Sequence, residues 1–157
     1  MKRAIQAALA LPFAVFVATL QVPASAATYL VDDGASAPQE SSALLRWRRL
    51  APSRSNDNAL DGTTVVIVRL NLAPWVNRTG RVFLALPEQG TTPVRVSWTT
   101  RGRLLPGTLS PGNRVLVFAG PITTPTLEET LALQIEADGS RLSGTQRLKF
   151  QFEIDMD

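Results

Sequence analysis

The sequence predicts an all-β protein, a β-sandwich of about seven short antiparallel strands between Thr63 and Asp157. Three observations carry this. Segments rich in β-branched and aromatic residues recur roughly every ten residues. Gly- or Pro-containing turns bound them. The last segment, "RLKFQFEIDMD" (Arg147–Asp157), alternates Leu148, Phe150, Phe152, Ile154 and Met156 with polar and charged residues. A period of two places the apolar set on one face of a strand. Each such side chain gains about 1.5–3 kcal/mol on full burial, so all five are predicted to face the core and close the sandwich.

Taken in order, residues 1–26 read as a secretory signal: Lys2 and Arg3, the apolar run "AALALPFAVFVATL", then small residues at Ala24 and Ala26. Cleavage is expected after Ala26 or Ala27. An uncleaved anchor is the alternative, but the run is short of the roughly 20 apolar residues a span requires, so no integral membrane span is expected after cleavage. With no Cys to follow, a lipoprotein attachment is excluded. Residues 27–62 read as an N-terminal extension and loop, residues 63–157 as the sandwich core, and 27–157 as one domain. "SALLRWRRLAP" fits either a helical turn or a strand, and "SRSNDNALDG" reads as an exposed loop.

From Thr63 the pattern is steady. "TTVVIVRLNL" is β-branched and apolar on both sides through Val65–Val68, which suits a strand covered on both faces or central in a sheet. "GRVFLALPE" and "TPVRVSWTT" follow, with Trp98 among valines as a core residue. "RGRLLPGTLSPGNRVLVFAGP" holds two strands around Pro-Gly turns. "TPTLEETLALQI" offers a capping-box spacing, Thr126 to Glu129. Its apolar residues from Leu131 nevertheless keep period two, and Asp138-Gly139 gives a hairpin signal, so a brief turn or one helical turn leading into a strand is preferred over a helix.

Composition narrows function. The chain has no Cys and no His. Nucleophilic systems built on Cys–His or Ser–His–Asp are excluded, as are zinc and most transition-metal sites. No enzyme, cofactor or metal is expected. Loss of Lys2 and Arg3 with the signal would reduce 16 basic residues to 14, against 13 acidic ones, a net charge of +1. Nucleic-acid binding, which needs a clustered positive footprint, is therefore not expected; "RWRR" (Arg46–Arg49) is an isolated basic knot. The pairs Asp32–Asp33 and Asp57 with Asp61 have the oxygen chemistry of calcium ligands but no ligand-loop spacing, and read as solvated acids. "NRT" at Asn77 matches a glycosylation acceptor and reads more simply as a turn. Glu153, Asp155 and Asp157 share one strand face, which reads as a solvated outer surface. The alternative is an acidic stripe meeting Arg95, Arg101 or Arg103 of a neighbour.

The segments "VRVSW" and "GRLLPGTLSPGNRVLVFAGPI", with the alternating terminal strand, resemble the subunits of chaperone–usher pili (fimbriae) of the disulfide-free alternate type. The resemblance spans Thr63–Asp157 and implies an immunoglobulin-like, pilin-like sandwich completed by a partner strand from a periplasmic chaperone or a neighbouring subunit. It implies a protein exported to the periplasm or surface of a Gram-negative bacterium, with a role in a fimbrium and in cell adhesion. Such subunits carry a long alternating donor segment at the mature N-terminus. Here "TYLVDD" is short and stops at two Asp, a departure that a tip, terminator or accessory role tolerates better than a polymerising shaft. The alternative function is a self-contained periplasmic sandwich that binds a ligand or glycan through exposed Trp47, Trp75 or Tyr29.

Overall fold

A computed structural model describes residues 27–39, 43–48, 58–88, 93–142 and 147–156; the predicted signal segment lies outside them. Among the described residues ten strands form two antiparallel sheets: β1 (Ala27–Val31), β2 (Ala37–Pro38), β3 (Arg46–Trp47), β4 (Ala59–Asn71), β5 (Thr79–Leu86), β6 (Val94–Thr99), β7 (Gly107–Leu109), β8 (Asn113–Pro121), β9 (Thr126–Asp138) and β10 (Gln151–Met156). Sheet A runs β1-β10-β5-β8, and sheet B runs β2-β4-β9-β6-β7 with β3 also on β4. The predicted β-sandwich is the observed architecture.

The inner faces follow the period-two pattern. Val68 and Leu70 of β4, Leu131 and Leu133 of β9, and Val94, Val96 and Trp98 of β6 meet Val82, Leu84 and Leu86 of β5 and Phe152, Ile154 and Met156 of β10. "TLEETLALQI" is strand throughout, with no turn or helical turn leading into it, because β9 pairs with β4 from Thr126 onward: Leu127, Leu131 and Leu133 are buried, while Glu128 points to Arg69 on the outside.

Three expectations are corrected. The stretch "NALDG", read as loop, mostly belongs to β4, which starts at Ala59 and pairs with β9 over all 13 residues. Gly62 permits this, because a Cβ there would lie 2.5 Å from the Leu45 side chain crossing over it. Asp138-Gly139 makes a turn, with Ser140 donating from its backbone and hydroxyl to the Asp138 carboxylate. It does not make a hairpin, since β9 and β10 lie in different sheets. The closing strand is shorter than the alternation suggested: residues 147–150 are not strand, and Leu148 and Phe150 are only half-buried against the core.

Most links cross between the sheets. A 3-10 turn (Ala73–Trp75) and Asn77 at φ 65° carry the chain from β4 to β5, and the turn at Gly112 (φ 81°) carries it from β7 to β8. The loop between β6 and β7 is fastened differently. The Glu129 carboxylate accepts the backbone N–H groups of Gly102, Arg103 and Leu104 at 2.8–2.9 Å. Replacing Glu129 with Ala should strip Arg103 and Leu104 of this acceptor, leave Gly102 only the longer bond to the Thr100 hydroxyl oxygen at 3.3 Å, and cost about 1–2 kcal/mol. Chemical denaturation would register the loss, and faster amide exchange confined to residues 102–104 would locate it.

One side chain runs against the general burial of polar groups in bonded pairs. Thr64 Oγ1 is buried without a hydrogen-bond partner among the described residues. The near-isosteric change Thr64→Val removes an unsatisfied hydroxyl without changing volume. It should therefore stabilise the fold by about 0.5–1 kcal/mol, visible as a raised Tm.

Candidate strand-docking edge

β10 is the element on which closure of the sandwich depends. Phe152, Ile154 and Met156 are 3%, 0% and 4% exposed. Toward the sheet interior β10 pairs with β5, Ile154 opposite Val82 and Asp155 opposite Arg81. On its other side it pairs with β1: Ala27 with Met156, Thr28 with Asp155, Tyr29 with Ile154, Leu30 with Glu153 and Val31 with Phe152. The short segment that departs from a long donor strand is thus the segment that covers the β10 edge in this chain. The strands β1, β2 and β3, from the stretch read as extension and loop, lie at the margins of the two sheets.

The cover is thin. Of the five residues of β1 only Val31 is buried. Tyr29 and Leu30 are 48% and 68% exposed. Val31 belongs to the core, and Tyr29 lies against the Trp75 ring at a centroid distance of 6.2 Å. Beyond β1, Asn71 N–H donates to Asp32 O at 2.9 Å, and the Asp32 carboxylate accepts from Gly34 N–H, which turns the chain toward sheet B.

The outer face of this edge carries a polar network that sequence reasoning missed. Arg114 of β8 lies over the Phe83 ring at 4.3 Å and reaches across β5 to Glu153 and Asp155 of β10. The Thr28 hydroxyl donates to Asp155 Oδ1 at 2.6 Å. Glu153 also accepts from Gln151 Nε2. Glu153 and Asp155 are therefore neither a freely solvated face nor a stripe awaiting a neighbour's arginine. Arg114 of the same chain pairs with both, and Asp155 is buried, at 6% exposure. Asp157 lies outside the described residues.

The Thr28 hydrogen bond and the Arg114 guanidinium hold the Asp155 carboxyl below the usual carboxylate range, against burial, which raises it. Arg81 adds a favourable charge from β5. A depressed folded pKa means that this carboxylate stabilises the fold above its unfolded pKa, near 3.9. The contribution is lost as pH falls through the lower folded value. Amide NMR of β1 should accordingly show its docking weaken below about pH 4, and the Asp155→Asn variant should lack that acid step.

Of the other candidate residues, Trp75 meets Tyr29, and Trp47 and Trp98 lie apart from that pair. Trp98 is buried, its indole N–H donating to Leu105 O at 2.9 Å. Trp75, grouped with Trp47 and Tyr29 as an exposed aromatic, is 9% exposed because the 3-10 turn folds it into the core. Trp47 is 56% exposed and pairs with Leu60 at the start of β4. Trp75 follows the far end of that strand, and at about 3.3 Å per residue the strand separates the two by tens of ångströms. Arg48 of the basic knot is bound by Asp61 and Glu136; Asp57 is outside the described residues. A shallow depression of about 390 Å³ lies on the outer face of sheet B, lined by Thr63, Val65, Ser97, Thr99, Ala132 and Gln134 among others; Trp98 borders it, but Trp47, Trp75 and Tyr29 do not. Among the described residues no helix is long and apolar enough to cross a membrane.

Comparison of the chain with protein-family models, curated proteins and solved structures returns no match.

Proposed function

We propose that this protein is an exported, non-enzymatic structural or interaction subunit that assembles by β-strand addition at the β10 edge, as a pilus (fimbrial) or accessory component. The observation that carries the reading is the contrast at that edge. A strand whose inner side chains are almost fully buried is covered laterally by a five-residue strand, four of whose residues are exposed. A strand of another molecule placed there would gain the same backbone hydrogen bonds and bury the same apolar side chains. The partner strand would come from a periplasmic chaperone or a neighbouring subunit, and the setting would be the periplasm or cell surface.

The test is to express the chain from Ala27 onward alone and with a periplasmic chaperone, and to measure oligomeric state and Tm. Assembly by strand addition predicts oligomers or a chaperone complex, with a raised Tm in the complex. A monomer that no added strand invades or stabilises would contradict it.

A second reading has one observation in its favour: β10 has a neighbour from its own chain on both sides. This suits a self-contained sandwich that binds a ligand or glycan through an exposed aromatic, Trp47 or Tyr29. That reading predicts a stable monomer and a tryptophan fluorescence change on ligand addition.

A further inference from the structure

Resting on the strand-addition reading, we propose that Asp155, held by Arg114, is the specificity-determining group of the β10 edge. It selects an incoming strand that presents a hydroxyl side chain opposite it. The pattern is small, hydroxyl, aromatic, any, aliphatic, which residues 27–31 of a second copy supply.

The apolar side of the edge cannot make this choice. Ile154 and Phe152 face Tyr29 and Val31, and apolar contact is non-directional. A one-residue slip is excluded because it turns every side chain to the opposite face. A two-residue slip is not excluded in that way. It would set Leu30 opposite Asp155 and Val31 opposite Ile154, and would keep Tyr29 and Val31 inward.

The outer face separates the two registers. In the observed one, Asp155 Oδ1 receives both the Thr28 hydroxyl and Arg114 Nη1, and Oδ2 receives Arg114 Nη2. In the slipped one, a leucine faces a buried carboxylate and donates nothing. An acidic residue in that position would be repelled by Asp155 and Glu153. Glu153 makes no matching demand, because Arg114 and Gln151 already donate to its two oxygens; the residue opposite it, Leu30, is 68% exposed. The charged groups facing Asp155 are thus Arg114 from β8, Arg81 from β5 and Glu153 from its own strand, and β1 contributes the one neutral donor.

The experiment has an arm within the chain and an arm between molecules. In the full chain, Thr28→Val should speed amide exchange in β1 and β10 by about three- to tenfold, the range for the net loss of one ordinary hydrogen bond. Thr28→Ser should stay within about twofold of the parent. In trans, a labelled peptide of residues 27–32 should bind the unmodified chain about three- to tenfold more tightly than the same peptide with Val in place of Thr28. That measurement does not depend on a variant folding. Equal binding of the two peptides would overturn the selection by Asp155 while leaving strand addition standing. If neither peptide binds, strand addition itself fails, and Thr28 is only a fastener within one chain, which overturns the proposal as well.

Discussion

Replacing Trp98 with alanine is expected to cost about 3–5 kcal/mol, the usual range for deleting a buried aromatic, and to be the most damaging single truncation in sheet B. The residue is 2% exposed. It sits on β6 between β9, where it faces Leu133, and the three-residue edge strand β7, where it faces Gly107. Gly107 is fitted to it: a Cβ there would lie 2.7 Å from the indole ring. The indole N–H also satisfies the Leu105 carbonyl in the loop that Glu129 fastens. Alanine would therefore leave a cavity, an unpaired carbonyl and an unsupported β7 together. Trp98→Phe keeps most of the volume and loses the hydrogen bond. It should cost about 1–2 kcal/mol, and the difference between the two Cm values measures the cavity and the lost support of β7 apart from the hydrogen bond. A loss below about 1 kcal/mol for the alanine variant would mean that β6 and β7 do not close the core as described.

The reach of sequence reasoning is visible in the same elements. Trp98 was legible because it continues a clean alternation, Val94-x-Val96-x-Trp98, and a period of two needs no knowledge of neighbours. The inward set of β10 was legible for the same reason, over Phe152, Ile154 and Met156. Its start was not. Leu148 and Phe150 keep the alternation but lack a strand beside them, and alternation reports which side is apolar without reporting what pairs with it. Sheet order was not legible either. Asp138-Gly139 has the chemistry of a hairpin turn, yet β10 joins the opposite sheet, between β1 and β5.

That gap hid the polar network at the edge. Glu153 and Asp155 announce a charged face, and "NRVLV" places Arg114 two residues from Leu116 on an alternating strand. Nothing local says that β8 and β10 flank the same strand, β5, so that one arginine can span it over Phe83. The usable signal was a mismatch: carboxylates on a strand this apolar require a counter-charge when buried, and Arg114 is the outward basic residue nearest in pattern. Thr28 carried no signal at all, because a single threonine in a short extended segment is ordinary.

Val31→Asp is expected to separate closure of the edge from stability of the core. Val31 is 5% exposed, packs with the core opposite Phe152, and is the only buried side chain of β1. A carboxylate there would have to be desolvated without a partner, at a cost of several kcal/mol. The chain has a cheaper response available than global unfolding. Undocking β1 gives up four exposed residues, one buried valine and the Thr28–Asp155 hydrogen bond, and it leaves β5, β8 and β10 paired as before. The expected product therefore retains the far-ultraviolet signature of strands and the buried environment of Trp98, with rapid amide exchange restricted to β1 and the outer edge of β10. That exposed edge, with Phe152 and Ile154 behind it, is a template for another strand. The variant should self-associate with rising concentration, and a peptide of residues 27–32 should return it to a monomeric size. The parent chain should do neither at the same concentration. If Val31→Asp instead unfolds globally, with loss of the Trp98 environment in the same transition, β1 is an integral strand of the core and cannot be the exchangeable element. If it stays folded and monomeric with β10 amides still protected, the edge is covered by something other than β1.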